Sequence, residues 1–162
     1  ITKDLLAAFV DALDDQRANR QREGDELALL IEQRLSSISE IVTDLRARMP
    51  EIVSGQRDKL RSRLAELQAE LDAERLEQEM ALIAQKADVD EELDRLDTHV
   101  KEVRRVLKKG GAVGRRLDFL MQELNREANT LSSKAVVAES TQAAVELKVL
   151  IEQMREQIQN IE

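Results

Sequence analysis

His99 is the single histidine in a chain of 162 residues, and its neighbours have the types and spacing of a polar site. At 100° per residue along a helix, Glu92, Arg95 and His99 fall at i, i+3 and i+7 and share one border of an apolar face. Glu123 and Glu127, at i and i+4, share a border of a later helix. If the intervening loop folds these helices antiparallel with those borders facing, Glu92, His99, Glu123 and Glu127 converge as three carboxylates and one imidazole. Facing helices of a bundle build metal sites from this inventory, and carboxylate-rich ligation suits a divalent ion such as Mg²⁺ or Mn²⁺. Such an ion polarises a phosphodiester and lowers the pKa of an attacking water or hydroxyl. His99, Glu123 and Glu127 are then the candidate catalytic groups, with His99 alternatively a general acid or base, since histidine titrates near neutrality without help. The plainer alternative is a hydrogen-bonded surface histidine, and no metal motif as specific as H-E-x-x-H occurs.

A second cluster points to phosphate. The chain is acidic, with a net charge of −8, yet residues 101–116 hold seven basic residues and one acid, leaving −14 for the remainder. Arg104, Arg105, Lys108, Lys109, Arg115 and Arg116, with Asn125 and Arg126 beyond them, are the candidate nucleic-acid-binding residues, the plainer alternative being a solvated helix end with a flexible loop. A local basic patch attracts phosphate while the acidic remainder rejects indiscriminate polyanion binding. There is no Tyr or Trp, so the aromatic stacking of the common RNA modules is not expected. Contacts should come from backbone charge and from Asn, Gln or Arg edges.

Helices must position these groups. Charged residues make up 36% of the chain, Phe9 and Phe119 are the only aromatics, and Pro50 is the only proline. That composition predicts an all-α chain without a sheet. Residues 1–20 hold a first amphipathic helix through Leu5, Leu6, Phe9, Val10 and Leu13. Over 21–86 the spacing of Leu27, Ile31, Leu35, Ile38, Val42, Leu45 and Met49 makes a coiled-coil seam. Pro50 is expected to end this helix and start a return helix carrying Val53, Leu60, Leu64, Leu67 and Leu71, giving a long antiparallel hairpin. Near Asp72 the register changes. Residues 87–162 should form a small C-terminal helical bundle: a helix over about 89–107 with Asp88 as a cap, the glycine-rich loop KKGGAVG, a helix over about 115–131, and a last helix whose Ala144, Leu147, Ile151, Met154, Ile158 and Ile161 step in threes and fours.

On the 115–131 helix the polar residues divide between two borders. Asp118, Gln122, Asn125 and Asn129 line one, and Arg116, Glu123 and Glu127 the other. Asn and Asp are mediocre helix formers, so their presence there suggests a task beyond packing.

Several classes are excluded. With no cysteine there is no disulfide framework, thiolate chemistry or Cys-ligated zinc. GGAVG lacks the Lys-Ser/Thr and the preceding strand of a phosphate loop, and Ser132 and Ser133 read as helix-end residues rather than nucleophiles. No apolar run reaches the ~20 residues of a membrane span, and a cytoplasmic protein is expected. The start at Ile1, directly in a helical pattern, reads as a fragment lacking an N-terminal portion.

The run GRRLDFLMQELNREANTLSSKA, preceded by ADVDEELDRLDTHV and followed by ELKVLIEQMREQIQNIE, resembles the C-terminal half of the YicC/YloC family of bacterial endoribonucleases, also known as stress-induced proteins. REGDELALLIEQRL and RLEQEMALIAQKAD fit the same family's central helical region, so the likeness covers essentially the whole chain. Ser132 stands where the family usually has a small residue, a mild departure. The resemblance implies metal-dependent cleavage of RNA by a cytoplasmic homo-oligomer, a hexamer, whose separate N-terminal domain of strands and helices is absent here. It also implies that Glu92, His99, Glu123 and Glu127 lie within shared motifs; their roles are assigned by helix geometry. The rival reading is a non-catalytic coiled-coil oligomerisation or RNA-binding module.

Overall fold

A computed structural model describes residues 2–66, 73–86 and 88–159. Five helices follow one another: α1 (Thr2–Glu66), α2 (Ala73–Lys86), α3 (Asp90–Lys109), α4 (Gly114–Lys134) and α5 (Ala138–Gln159). The fold is all-α, with no strand among the described residues.

The core is a four-helix bundle in which α1 packs on α3 and α5, and α4 packs on the same two helices. Ion pairs fix the directions. Arg46 meets Asp94 and Asp97, whereas Arg104 meets Glu32, so α1 and α3 run antiparallel; Arg116–Glu102 and Arg95–Glu127 do the same for α3 and α4. The buried seam comprises Ile31, Leu35, Ile38, Val42, Leu45 and Met49 of α1 and Ala144, Leu147, Ile151, Met154 and Ile158 of α5, as their spacing predicts, together with Leu93, Leu96 and Val100 of α3 and Leu117, Leu120, Met121 and Leu124 of α4. Fully burying a Leu or Ile stabilises by about 1.5–3 kcal/mol. That gain explains why these stripes govern the architecture.

Two expectations need correction. The seam over 27–49 does not zip against a return helix: it supplies the fourth helix of the bundle, while α2 returns along the later part of α1, where Arg57 Nε lies 3.3 Å from Met80 Sδ. Periodicity shows that a stripe must be covered, not by what. Pro50 does not end a helix either, and lies inside α1. An interior proline costs about 3 kcal/mol or more, but Pro50 is exposed, so water can satisfy the carbonyl its ring leaves without a partner. Met49, Ile52 and Val53 on either side keep packing against the core, which offsets the remainder. The expected change of register near Asp72, with Leu67 and Leu71, and the seam residue Ile161 lie outside the described residues.

The connections are short. Gly110 and Gly111 take φ of 64° and 83°, a left-handed region that costs glycine nothing, and the Gly110 N–H donates to the Val106 and Leu107 carbonyls to close α3. Asp88 does not cap α3 as expected: the N-cap is Val89, with no side-chain cap hydrogen bond, and the Asp88 carboxylate, one residue earlier, only accepts from the Asp90 N–H at 3.4 Å. Residues 3–26 of α1 are exposed throughout, including Leu5, Leu6, Phe9, Val10 and Leu13.

Candidate functional site

The α3 and α4 borders do face each other. Lys134 Nζ lies 2.9 Å from Glu92 Oε1 and 3.1 Å from its Oε2; Arg95 Nη1 lies 3.6 Å from Glu127 Oε1; Arg116 Nη2 lies 3.3 Å from Glu102 Oε1. His99 is one turn beyond Arg95, and Glu123 one turn before Glu127, so the antiparallel register sets these half-buried residues at the same level. The seam is therefore a ladder of opposite charges with an imidazole and a carboxylate in its middle.

It is not a four-donor metal centre within one chain. No three His, Cys, Asp or Glu residues among those described are grouped to hold an ion. Glu92 and His99 are seven residues apart, about 10 Å along a helix axis, too far for metal–ligand bonds of ~2.0–2.3 Å to reach one ion. Glu92 and Glu127 are moreover buried, and a carboxylate in an apolar bundle requires a counter-charge. Lys134 and Arg95 supply it. Sequence reasoning placed Arg95 on this border but missed Lys134, whose Nζ also donates to the Asp88 carbonyl at 2.9 Å; a lysine at a helix end carries no sequence signal for such a long-range partner.

The basic residues divide in the same way. Arg104 is an architectural residue: its Nε donates to Glu32 Oε1 at 2.8 Å and its Nη2 to Ser36 Oγ at 3.2 Å, both on α1. Arg105 donates to both oxygens of Glu102 at 2.7 and 2.8 Å, and Arg116 reaches the same carboxylate. The two guanidiniums hold the Glu102 carboxyl down to about 2, hydrogen bonding from Arg105 contributing most, and the carboxylate in turn raises the Arg105 pKa. Arg105, Lys108, Lys109, Gly110 and Arg116 surround Glu102 in an open depression of about 810 Å³ at the α3–α4 loop. Four cations against one anion make it a phosphate-attracting surface. Arg115 and Arg126 are exposed on α4, and Asn125 is half-buried.

The other α4 border faces α5. Asp118 accepts from Gln122 Nε2 at 2.9 Å and lies 4.0 Å from Arg155 Nε, so these two polar residues serve the helix and its neighbour. Phe119 was missed as a site residue. The residue is 47% exposed, with the Arg116 guanidinium carbon 5.5 Å from its ring centroid. Chemically, the surface joins an imidazole and a carboxylate at one level of the seam, guanidiniums on both sides along it, and a cationic depression at one end. That inventory suits proton transfer beside a phosphate.

A family model described as endoribonuclease YicC-like, C-terminal, matches residues 45–162. The chain is similar, at 59% identity over its whole length, to the protein named probable endoribonuclease YicC of Haemophilus influenzae, covering 56% of that relative. To the protein of the same name from Clostridioides difficile it is 37% identical over 161 residues, covering 98% of the chain and 55% of the relative. The chain thus spans about half the length of the curated relatives it matches.

Proposed function

This chain belongs to the endoribonuclease YicC-like family, and from that premise we propose that its α3–α4 seam is the catalytic surface of an RNA endonuclease. The observation that carries the reading is the level of His99 with Glu123, between Arg95–Glu127 on one side and Glu102–Arg116 on the other. RNA phosphates enter over Arg105, Lys108, Lys109, Arg115 and Arg116. His99 takes the proton of the attacking hydroxyl or water, and the new phosphorus–oxygen bond forms as the bond to the leaving oxygen breaks. That oxygen leaves with a proton returned by the imidazolium or by solvent. Glu123 orients the imidazole, and the guanidiniums meet the charge that builds on the phosphoryl oxygens. Glu127 and Glu92, tied to Arg95 and Lys134, position the seam.

Dependence on Mg²⁺ or Mn²⁺ is a separate part of the proposal. Because Glu92, His99, Glu123 and Glu127 do not converge on one ion within this chain, no step is routed through a metal. The test is cleavage of labelled single-stranded RNA with and without EDTA, and with His99→Ala and Glu123→Gln. Loss of a general base costs about 10²–10⁴ in rate, so His99→Ala should lose at least a hundredfold. Undiminished cleavage by both variants overturns the assignment, and cleavage that survives chelation removes the metal.

A second reading has its own support. The 65-residue α1 carries an exposed apolar face through Leu5, Leu6, Phe9, Val10 and Leu13, which favours a role in homo-oligomer assembly, alongside catalysis or in place of it. No described helix is long and apolar enough to cross a membrane. Sedimentation checks the assembly: a hexamer is expected, and a monomer at all concentrations refutes it.

A further inference from the structure

Phe119 is placed as no packing residue would be. The chain has two phenylalanines, both exposed, in opposite settings. Phe9, 61% exposed, sits among Leu5, Leu6, Val10 and Leu13, also exposed, an apolar face that another apolar face can cover. The helical neighbours of Phe119 at three, four and seven residues are Arg115, Arg116, Gln122, Glu123 and Arg126. No apolar side chain extends the patch on that side of α4, and a protein partner would have to desolvate several charges to reach one ring. Arg116, which lies over the ring, also lines the cationic depression. By the Arg116–Glu102 and Arg95–Glu127 register, Phe119 lies at the level of the His99–Glu102 turn of α3.

An exposed aromatic face amid cations, one turn from Glu123 and at the level of the His99 turn of α3, matches one ligand chemistry: a planar base joined to phosphate. We infer that Phe119 is a stacking platform for an unpaired nucleobase of single-stranded RNA, holding the strand so that a neighbouring phosphodiester lies at the His99–Glu123 level. This rests on the RNA reading of the same surface and adds to it a strand requirement. The ring is closed to a base in a duplex, which is already stacked on both faces, and open to every unpaired base because each has a π-face. It also restores aromatic stacking to a chain without Tyr or Trp.

The experiment measures binding of a labelled single-stranded oligoribonucleotide and of a duplex of equal length at several salt concentrations. The proteins are wild-type, Phe119→Leu, Phe119→Trp and Lys108→Ala/Lys109→Ala. Base–aromatic stacking sets the expected loss for Phe119→Leu at about 5- to 100-fold on the single strand. Its duplex affinity and salt slope should be unchanged, and Phe119→Trp should retain or improve binding. The double lysine variant should weaken both RNAs and flatten the salt dependence. If Phe119→Leu binds the single strand like wild-type while the lysine variant is impaired, the stacking proposal fails and the RNA reading stands. If wild-type binds neither RNA, both fail. A change in sedimentation of the RNA-free protein on Phe119→Leu, without a change in RNA affinity, makes the ring a protein contact and overturns the proposal.

Discussion

Lys134→Met separates two accounts of Glu92. In the structure Glu92 has a side chain 5% exposed and receives Lys134, 31% exposed, at 2.9 Å. At that distance the Coulomb attraction is about 1.4 kcal/mol in water and about 6 kcal/mol at an effective dielectric of 20. The partial exposure of Lys134 places the pair between these limits, and removing the cation leaves a buried, unpaired carboxylate. The variant also forfeits the donation to the Asp88 carbonyl, about 1 kcal/mol net. A destabilisation of about 2–3 kcal/mol is expected, or a fall in melting temperature of about 5–10 °C for a chain of this size. Glu92→Gln in the Lys134→Met background should recover part of it, giving a coupling of about 2 kcal/mol in a double-mutant cycle followed by urea denaturation. A coupling below about 0.5 kcal/mol refutes the argument and makes the pair an ordinary surface contact. If millimolar Mn²⁺ instead raises the melting temperature of Lys134→Met and not that of wild-type, Glu92 binds metal and Lys134 is its competitor; the purely architectural account then fails.

Glu102→Gln should raise RNA affinity, because it removes the anion from the depression and frees Arg105 and Arg116, and should steepen the salt slope by up to about 0.7 per arginine released onto a single strand. Weaker binding would show instead that the carboxylate's role is to hold the two guanidiniums in place. Since the Glu102 carboxyl falls from its ordinary 4.5 to about 2, its ionised bridge is complete above pH 4.5 and is lost as pH falls toward 2. The affinity ratio of Glu102→Gln to wild-type should therefore stay constant from pH 5 to 8, and a ratio that drifts across that range refutes the sign. Pro50→Ala should stabilise the protein by about 1–3 kcal/mol, because Pro50 lies inside a continuous helix; no change or a loss in urea unfolding would argue for a turn at that position.

What the sequence made legible was local and periodic. The stripes of α3, α4 and α5 were readable because helical spacing reports which side chains are withdrawn from water, and the facing of the Arg95 and Glu127 borders followed from a short loop between two such stripes. The partner of the 27–49 stripe was not readable, because an apolar seam is satisfied equally by a return helix or by a bundle. Pro50 misled for a related reason: its local penalty is fixed, whereas the compensating packing of Met49, Ile52 and Val53 is tertiary. In the site, the types at Glu92, His99, Glu123 and Glu127 suggested a metal cluster, but axial rise along α3 separates them and Lys134 arrives from the far end of α4. Arg104 looked like its basic neighbours until its α1 partners were visible. Phe119 was set aside on composition, and only its exposure in the fold separates it from a core phenylalanine.

The unpacked start of α1 has a mechanical consequence. Phe9 precedes Ile31, the first fully buried residue of α1, by 22 residues, about 33 Å of helix. The segment is a lever whose fulcrum is the bundle. A tilt of about 10° at Ile31 sweeps Phe9 through about 6 Å, more than a full helical pitch. Whatever grips Leu5, Phe9 and Leu13 thus works through a long lever arm on the α1–α3 joint fastened by Arg104 and Arg46.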